Sequence, residues 1–126
     1  MSKSLEYFKL STSIAGIGLI LVGILGFIPA ITPNGKLIGL FMVNDLHNSA
    51  HILTGLIMLL AAYKPNRFTI FLIILIGIVF LLLVILGIAL KGHLIFIHVN
   101  TADNILHIAI SAFAFFQGWI ISRVAE

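Results

Sequence analysis

The chain has 126 residues, of which 61% are hydrophobic and only 9% are charged, and its formal net charge is +3 at pH 7. Soluble domains carry roughly 25% charged residues, so this composition excludes a water-soluble core and indicates an integral membrane protein with a single domain over residues 1–126. The sequence contains no cysteine, which excludes disulfides, thiolate metal sites and cysteine nucleophiles. With so few charges, the positive balance indicates membrane topology, and nucleic acid is not an expected partner.

Four stretches without ionised residues predict four membrane-spanning helices. The predicted spans are TM1 over residues 10–30, TM2 over 45–63, TM3 over 68–90 and TM4 over 101–122. Each has roughly the 18–20 residues that a helix needs to cross about 30 Å of hydrocarbon. Backbone polar groups in lipid must be satisfied within the segment. The predicted fold class is therefore an all-α, four-helix bundle in a membrane.

The distribution of positive charges predicts the orientation of the chain in the membrane. Four spans place both termini on one side, and that side carries most of the Lys and Arg residues. The positive-inside rule then places the N- and C-termini in the cytoplasm and the protein in the cytoplasmic (inner) membrane. The lipid bilayer is the expected partner, and a homo-oligomer or a membrane partner protein is left open.

A polar motif occurs twice in the chain, at an offset of 56 residues. Residues 43–51 and 99–107 both have the pattern V-N-x-x-[H/D]-N-x-x-H, and a weaker similarity relates residues 21–27 to residues 82–88. Each half is therefore predicted to be a helical hairpin whose second helix begins with the motif. A pseudo-twofold axis along the membrane normal would place both motifs at one depth, at the outer ends of TM2 and TM4.

The two motifs also carry a resemblance to a known family. The stretch GLFMVNDLHNSAHILTG, followed after a third apolar span by VNTADNILHIAIS, resembles an uncharacterised bacterial four-helix membrane family, domain of unknown function 4383. The resemblance covers the chain from TM1 to the end of TM4. It implies a fold and a membrane location, and no activity comes with it. It supports eight polar positions, which are Asn44, His47, Asn48, His51, Asn100, Asp103, Asn104 and His107.

These polar residues have a structural interpretation. Asn44 and Asn100 are suited to be helix N-caps, and Asp103 lies where a carboxylate can bond back to its cap and favour the positive end of the helix dipole. The remaining asparagines and histidines would hydrogen-bond between helices, at about 0.6–2 kcal/mol each. On this interpretation the cluster ties TM2 to TM4, and binding of a small ligand is left open.

The same residues also predict a metal site. His47 and His51 share one face of TM2, and Asp103 and His107 share one face of TM4, because each pair is spaced by one helical turn. If the two faces meet, three imidazoles and a carboxylate converge, which suits zinc or another transition metal. Asn48 and Asn104 would then hydrogen-bond to these ligands and orient them.

Two further interpretations stay open at this point. A haem or a quinone would lie between TM2 and TM4, in contact with His51 and His107. Alternatively, the histidines would form an outward-facing cluster that responds to pH. Catalysis is not predicted, because the chain has only four acidic residues, no Ser/His/Asp arrangement and no glycine-rich phosphate loop.

Overall fold

The computed structural model describes residues 2–124 and contains four long α-helices in this part of the chain. They are α1 (Lys3–Leu25), α2 (Asp45–Tyr63), α3 (Arg67–Ala89) and α4 (Thr101–Ser122). Each is long and apolar enough to cross a membrane. The protein is thus an all-α, multi-pass membrane bundle, which confirms the predicted fold class.

Asparagine side chains cap the beginnings of three of the helices. The side-chain oxygens of Asn44, Asn66 and Asn100 accept hydrogen bonds from the third following backbone N–H in α2, α3 and α4 respectively. Asparagine is among the preferred N-cap residues because its short side chain reaches these free donors. The helices α2 and α4 have the same bounds as the second and fourth spans predicted from the sequence.

The first helix is displaced from the predicted span of residues 10–30. It begins at Lys3, because the hydroxyl of Ser2 caps its first turn by accepting from the backbone N–H of Leu5. It ends at Leu25, and Pro29 then begins a short 3-10 turn over Pro29–Ile31. The membrane-crossing segment within α1 stays a prediction.

The helices pack as two hairpins. The helices α1 and α2 form one hairpin and α3 and α4 the other, and each pair packs far more extensively than any pair across the two hairpins. Across the hairpins, α2 contacts α3 and α1 contacts α4. The helices α2 and α4 therefore lie diagonally across the bundle, and the side chains of His47 and His107 meet between them.

The bundle has an apolar core that fills most of its length. Large side chains from all four helices are buried together: Phe8, Leu19, Met58, Ile73, Ile76, Phe80, Ile110 and Ile121. Most other large apolar side chains are exposed on the outside of the bundle, as lipid contact requires. The core ends at Phe80, beside the polar cluster.

Two connections cover the end of the bundle at which α2 and α4 begin, which we call the motif end. Residues 26–44 contain a two-stranded antiparallel hairpin, formed by β1 (Lys36–Leu37) and β2 (Phe41–Met42). In residues 90–100, His93 and His98 form an isolated antiparallel bridge. Both connections donate or accept hydrogen bonds with the caps of the helices, as described below.

Close packing of α1 on α2 generates a test of the first hairpin. A Cβ atom at Gly55 would lie 2.5 Å from the backbone oxygen of Gly16, whereas a Cβ atom at Gly18 would meet nothing within 4 Å. We expect Gly55→Ala to destabilise the detergent-solubilised protein by about 1–3 kcal/mol, since the backbones must move apart. Gly18→Ala is the matched control and should be neutral or slightly stabilising. Equal melting temperatures for the two variants would contradict this packing.

Candidate functional site

The two cap asparagines connect the two halves of the molecule. Asn44 Nδ2 donates to the backbone oxygen of Phe96 at 3.1 Å, and Asn100 Nδ2 donates to the backbone oxygen of Leu40 at 2.8 Å. Each asparagine thus caps its own helix with its oxygen and holds the connection of the other hairpin with its nitrogen. The reciprocal bonds fix the beginnings of α2 and α4 at the same end of the bundle.

Asp103 completes this network on α4. Its Oδ2 atom accepts from the backbone N–H of Asn100 at 2.9 Å and from that of Met42 at 3.2 Å. The first bond closes a capping box with Asn100, and the second joins α4 to the strand β2. Because Asp103 is only 1% exposed, the carboxylate depends on these backbone donors.

Asn48 and Asn104, the second asparagine of each motif, pack inside their own hairpins. The side-chain oxygen of Asn48 lies directly against Gly26, which follows α1, and that of Asn104 lies against Gly87 of α3. A Cβ atom at either glycine would collide with the asparagine side chain. Each asparagine therefore occupies a space that a glycine provides, at the end of α1 for Asn48 and within α3 for Asn104.

Three histidines meet in the centre of the bundle. His47 and His51 on α2 and His107 on α4 are each at most 5% exposed, and one nitrogen from each lies within 4.8 Å of the others. The Nε2 atoms of His47 and His107 are 3.4 Å apart. The ring of Phe80 covers the cluster from α3, with its centroid 5.1 Å from that of His107.

Three of the six imidazole nitrogens lack protein partners among the described residues. Within residues 2–124, no hydrogen-bond partner reaches the buried atoms His47 Nδ1, His51 Nε2 and His107 Nδ1. Buried polar atoms are normally paired, because leaving one without a partner costs about 1–3 kcal/mol. The cluster therefore has unused donor and acceptor capacity for a bound species.

A pocket of about 440 Å³ adjoins the three histidines. It lies between α2, α3 and the connection of residues 90–100, and apart from the histidines its lining is entirely apolar. Farther from the motif end, a second cavity of about 260 Å³ lies between α2 and α3. Ala50, Phe80 and Leu83 line both cavities, so the two are adjacent parts of one groove.

The structure separates the eight residues singled out in the sequence into three groups. The cap network contains Asn44, Asn100 and Asp103, the hairpin interiors contain Asn48 and Asn104, and the histidine cluster contains the remaining three. The carboxylate of Asp103, expected beside the histidines as a ligand, has its Oδ2 occupied by two backbone N–H groups.

Two buried features were not singled out from the sequence. Phe80 lies in a continuous apolar run, and no pattern there marks it as the cover of the cluster. Gln117, at the other end of α4, is fully buried and donates to the hydroxyls of Ser11 and Thr12 at 2.6 and 2.7 Å. A lone glutamine in an apolar span was a usable signal, since such residues seek partners on other helices.

Comparison with known proteins gives one match. The sequence model of a family described as "Domain of unknown function (DUF4383)" matches residues 9–120. No curated protein and no solved structure matches the chain. The match includes all four helices for most of their length and every residue of the cluster.

The cap network predicts a specific effect of removing the buried carboxylate. Asp103→Ala leaves the backbone N–H groups of Met42 and Asn100 without their acceptor, so we expect a loss of about 1–3 kcal/mol in stability. Hydrogen exchange at the Met42 amide should become faster. Asp45→Ala is the control, because Asp45 is exposed in the first turn of α2. Unchanged exchange at Met42 would contradict the assigned contact.

Proposed function

The chain belongs to the family described as domain of unknown function (DUF4383), a description that names no activity, and we propose from the site that the protein binds a transition metal ion. The proposed ligands are the imidazoles of His47, His51 and His107, and the proposed ion is zinc or a similar metal. The observation that carries the proposal is the convergence of three buried ligand nitrogens within 4.8 Å.

The distances support a metal with tetrahedral geometry. Two nitrogens bound to one tetrahedral zinc at about 2.0–2.1 Å lie roughly 3.3 Å from each other. The 3.4 Å between the Nε2 atoms of His47 and His107 is close to this value. His51 needs only a small movement to bring its nitrogen to the same separation, since it already lies within 4.8 Å of the other two.

The chemistry of the ligand set supports the same assignment. Imidazole is a ligand for zinc, copper, iron and nickel, and it binds in the neutral form, which burial favours. Three protein ligands leave a fourth position for water or a small ligand, as in zinc sites that are not purely structural. The apolar pocket adjoins the histidines that would hold the ion.

We assign Asp103 to positioning rather than to ligation. Its Oδ2 atom accepts from two backbone N–H groups, which hold the carboxylate at the helix cap, and the group of converging ligand atoms contains only the three histidines. The role we propose is to hold the first turn of α4, and with it His107, in place against β2. Asn44 and Asn100 would do the same for the two connections.

The second candidate function is purely structural, with the cluster as a tie between α2 and α4. The cap network favours it, because Asn44, Asn100 and Asp103 form four hydrogen bonds that join elements distant in sequence or fix a helix start. The histidines do not fit this candidate equally well. The Nε2 atoms of His47 and His107 lie within hydrogen-bond distance of each other, but three of the six ring nitrogens have no partner among the described residues, although a structural tie would pair them.

We also propose that the two hairpins are copies of one ancestral hairpin. The cap bonds support this, because Asn44 and Phe96 are related to Asn100 and Leu40 by the same offset as the motifs. The asparagine-on-glycine contacts support it as well, since one occurs in each hairpin. The charge distribution supports an inner-membrane location with both termini in the cytoplasm.

Metal content tests the proposed function. The protein is purified with a tag that contains no histidine, and metals are measured by mass spectrometry in the wild type and in two double variants. We expect about one metal ion per chain in the wild type and almost none in His51→Ala/His107→Ala. His93→Ala/His98→Ala removes the same number of histidines outside the cluster and should retain the metal.

A second measurement separates loss of the ligands from loss of the fold. At a free zinc concentration of about 100 times Kd, binding should stabilise the wild type by about 2.7 kcal/mol and raise its melting temperature. The single variant His51→Gln, which keeps a polar side chain at that position, should lose this shift. A wild type that carries no metal and shows no shift with zinc, copper, iron or nickel would overturn the proposal in favour of the structural tie.

A further inference from the structure

We propose that the groove beside the histidines binds a neutral membrane amphiphile of the quinone class, with its ring in the larger cavity and its single chain between α2 and α3. The proposal goes beyond the metal site and does not need it, because neutral imidazoles can donate to carbonyls and accept from hydroxyls on their own. Its basis is the shape, the lining and the polar end of the groove.

The volumes fit a head that is broader than its tail. A cavity of about 150 Å³ holds a benzene ring, so the 440 Å³ at the histidine end has room for a substituted ring and the first part of a chain. The second cavity is smaller, at about 260 Å³. From Leu46 to Ile57 the groove follows α2 for about 16 Å, at a rise of about 1.5 Å per residue.

The lining selects against a charged head group. None of the residues that line the two cavities is Lys, Arg, Asp or Glu. Burying the phosphate of a phospholipid or the carboxylate of a fatty acid there would cost several kcal/mol without a compensating charge. In the second cavity the polar side chain is that of Thr54, and its hydroxyl donates to the backbone oxygen of Ala50.

The polar end of the groove fits the two carbonyls of a quinone. His47, His51 and His107 line the larger cavity, are at least nine-tenths buried, and each has a nitrogen without a partner among residues 2–124. Imidazole N–H groups can donate to a quinone carbonyl, and imidazole nitrogens can accept from a quinol hydroxyl. Phe80 and Phe96 add aromatic faces on which a ring can stack.

The groove is accessible from the lipid. The helices α2 and α3 pack loosely compared with the helices within either hairpin. Both cavities lie along the contact between these two helices. Leu53 and Leu46 on its edge are 59% and 54% exposed on the outside of the bundle. A membrane-dissolved ligand can therefore enter sideways with its chain still in hydrocarbon.

Photolabelling in nanodiscs of phosphatidylcholine tests the proposal. The probe is an azido-benzoquinone with a decyl chain, and labelled peptides are mapped by mass spectrometry. We expect saturable labelling within residues 46–50, 80–90 or 94–97, which unlabelled decyl-benzoquinone removes by competition. Decanoate has a chain of similar length but a charged head group, and it should compete at least about tenfold more weakly than decyl-benzoquinone.

Two tryptophan variants serve as a matched pair. Leu86→Trp enlarges a residue that lines the larger cavity from α3, a helix without a histidine, and should reduce specific labelling by about tenfold while the metal content stays unchanged. Ile108→Trp places the same side chain on an exposed part of α4 that lines neither cavity, and should leave labelling unchanged. Equal labelling of the two variants, labelling elsewhere, or equal competition by decanoate would overturn the proposal.

The outcome is independent of the outcome for the metal. The labelling is carried out on chelator-treated protein and on zinc-loaded protein. Specific labelling of a protein that binds no metal would support the quinone site and overturn the metal site. Metal binding by the wild type without specific labelling would do the reverse.

Discussion

The reciprocal capping of α2 and α4 is the interaction on which the arrangement of this bundle depends. The first turn of any helix has free N–H groups, and in a membrane these groups cannot rely on water. Asn44 and Asn100 each accept from one of these N–H groups and at the same time hold the connection of the opposite hairpin. The two hairpins, which pack mainly within themselves, are thereby aligned at one end, and the histidines are brought to a common level.

The alignment brings polar groups together at the motif end, where they make different kinds of contact. The side chains of Asn44, Asn100 and Asp103 hydrogen-bond to backbone groups, whereas those of Asn48 and Asn104 pack against glycines. The three histidines are buried like core residues but keep nitrogens without partners among the described residues. A buried network that is only partly satisfied is costly, so a bound species is the physical reason we propose for keeping it.

The fold could be predicted from patterns within short stretches of the sequence. The site depends on contacts between residues far apart in the chain, which the sequence does not show. Charge-free runs and cap asparagines specify helices from the sequence alone, and the bounds of α2 and α4 followed from them. The spacing of Asp103 and His107 predicts a shared helix face, but the position of Asp103 three residues after the N-cap Asn100 places its carboxylate on the cap, where the backbone N–H of Asn100 holds it. The groove depends on how loosely α2 and α3 pack, a property of the assembled bundle that Phe80 and its apolar neighbours do not reveal in the sequence.

The most direct test of the account is X-ray absorption spectroscopy on the zinc-loaded protein, since it reports the ligands of the metal themselves. We expect three imidazole nitrogens at about 2.0–2.1 Å and one further light ligand. His51→Ala should lose one imidazole from this shell, while His93→Ala should leave the spectrum unchanged. A shell made of oxygen ligands alone, or one that does not respond to His51→Ala, would contradict the claim that α2 and α4 build a single three-histidine site.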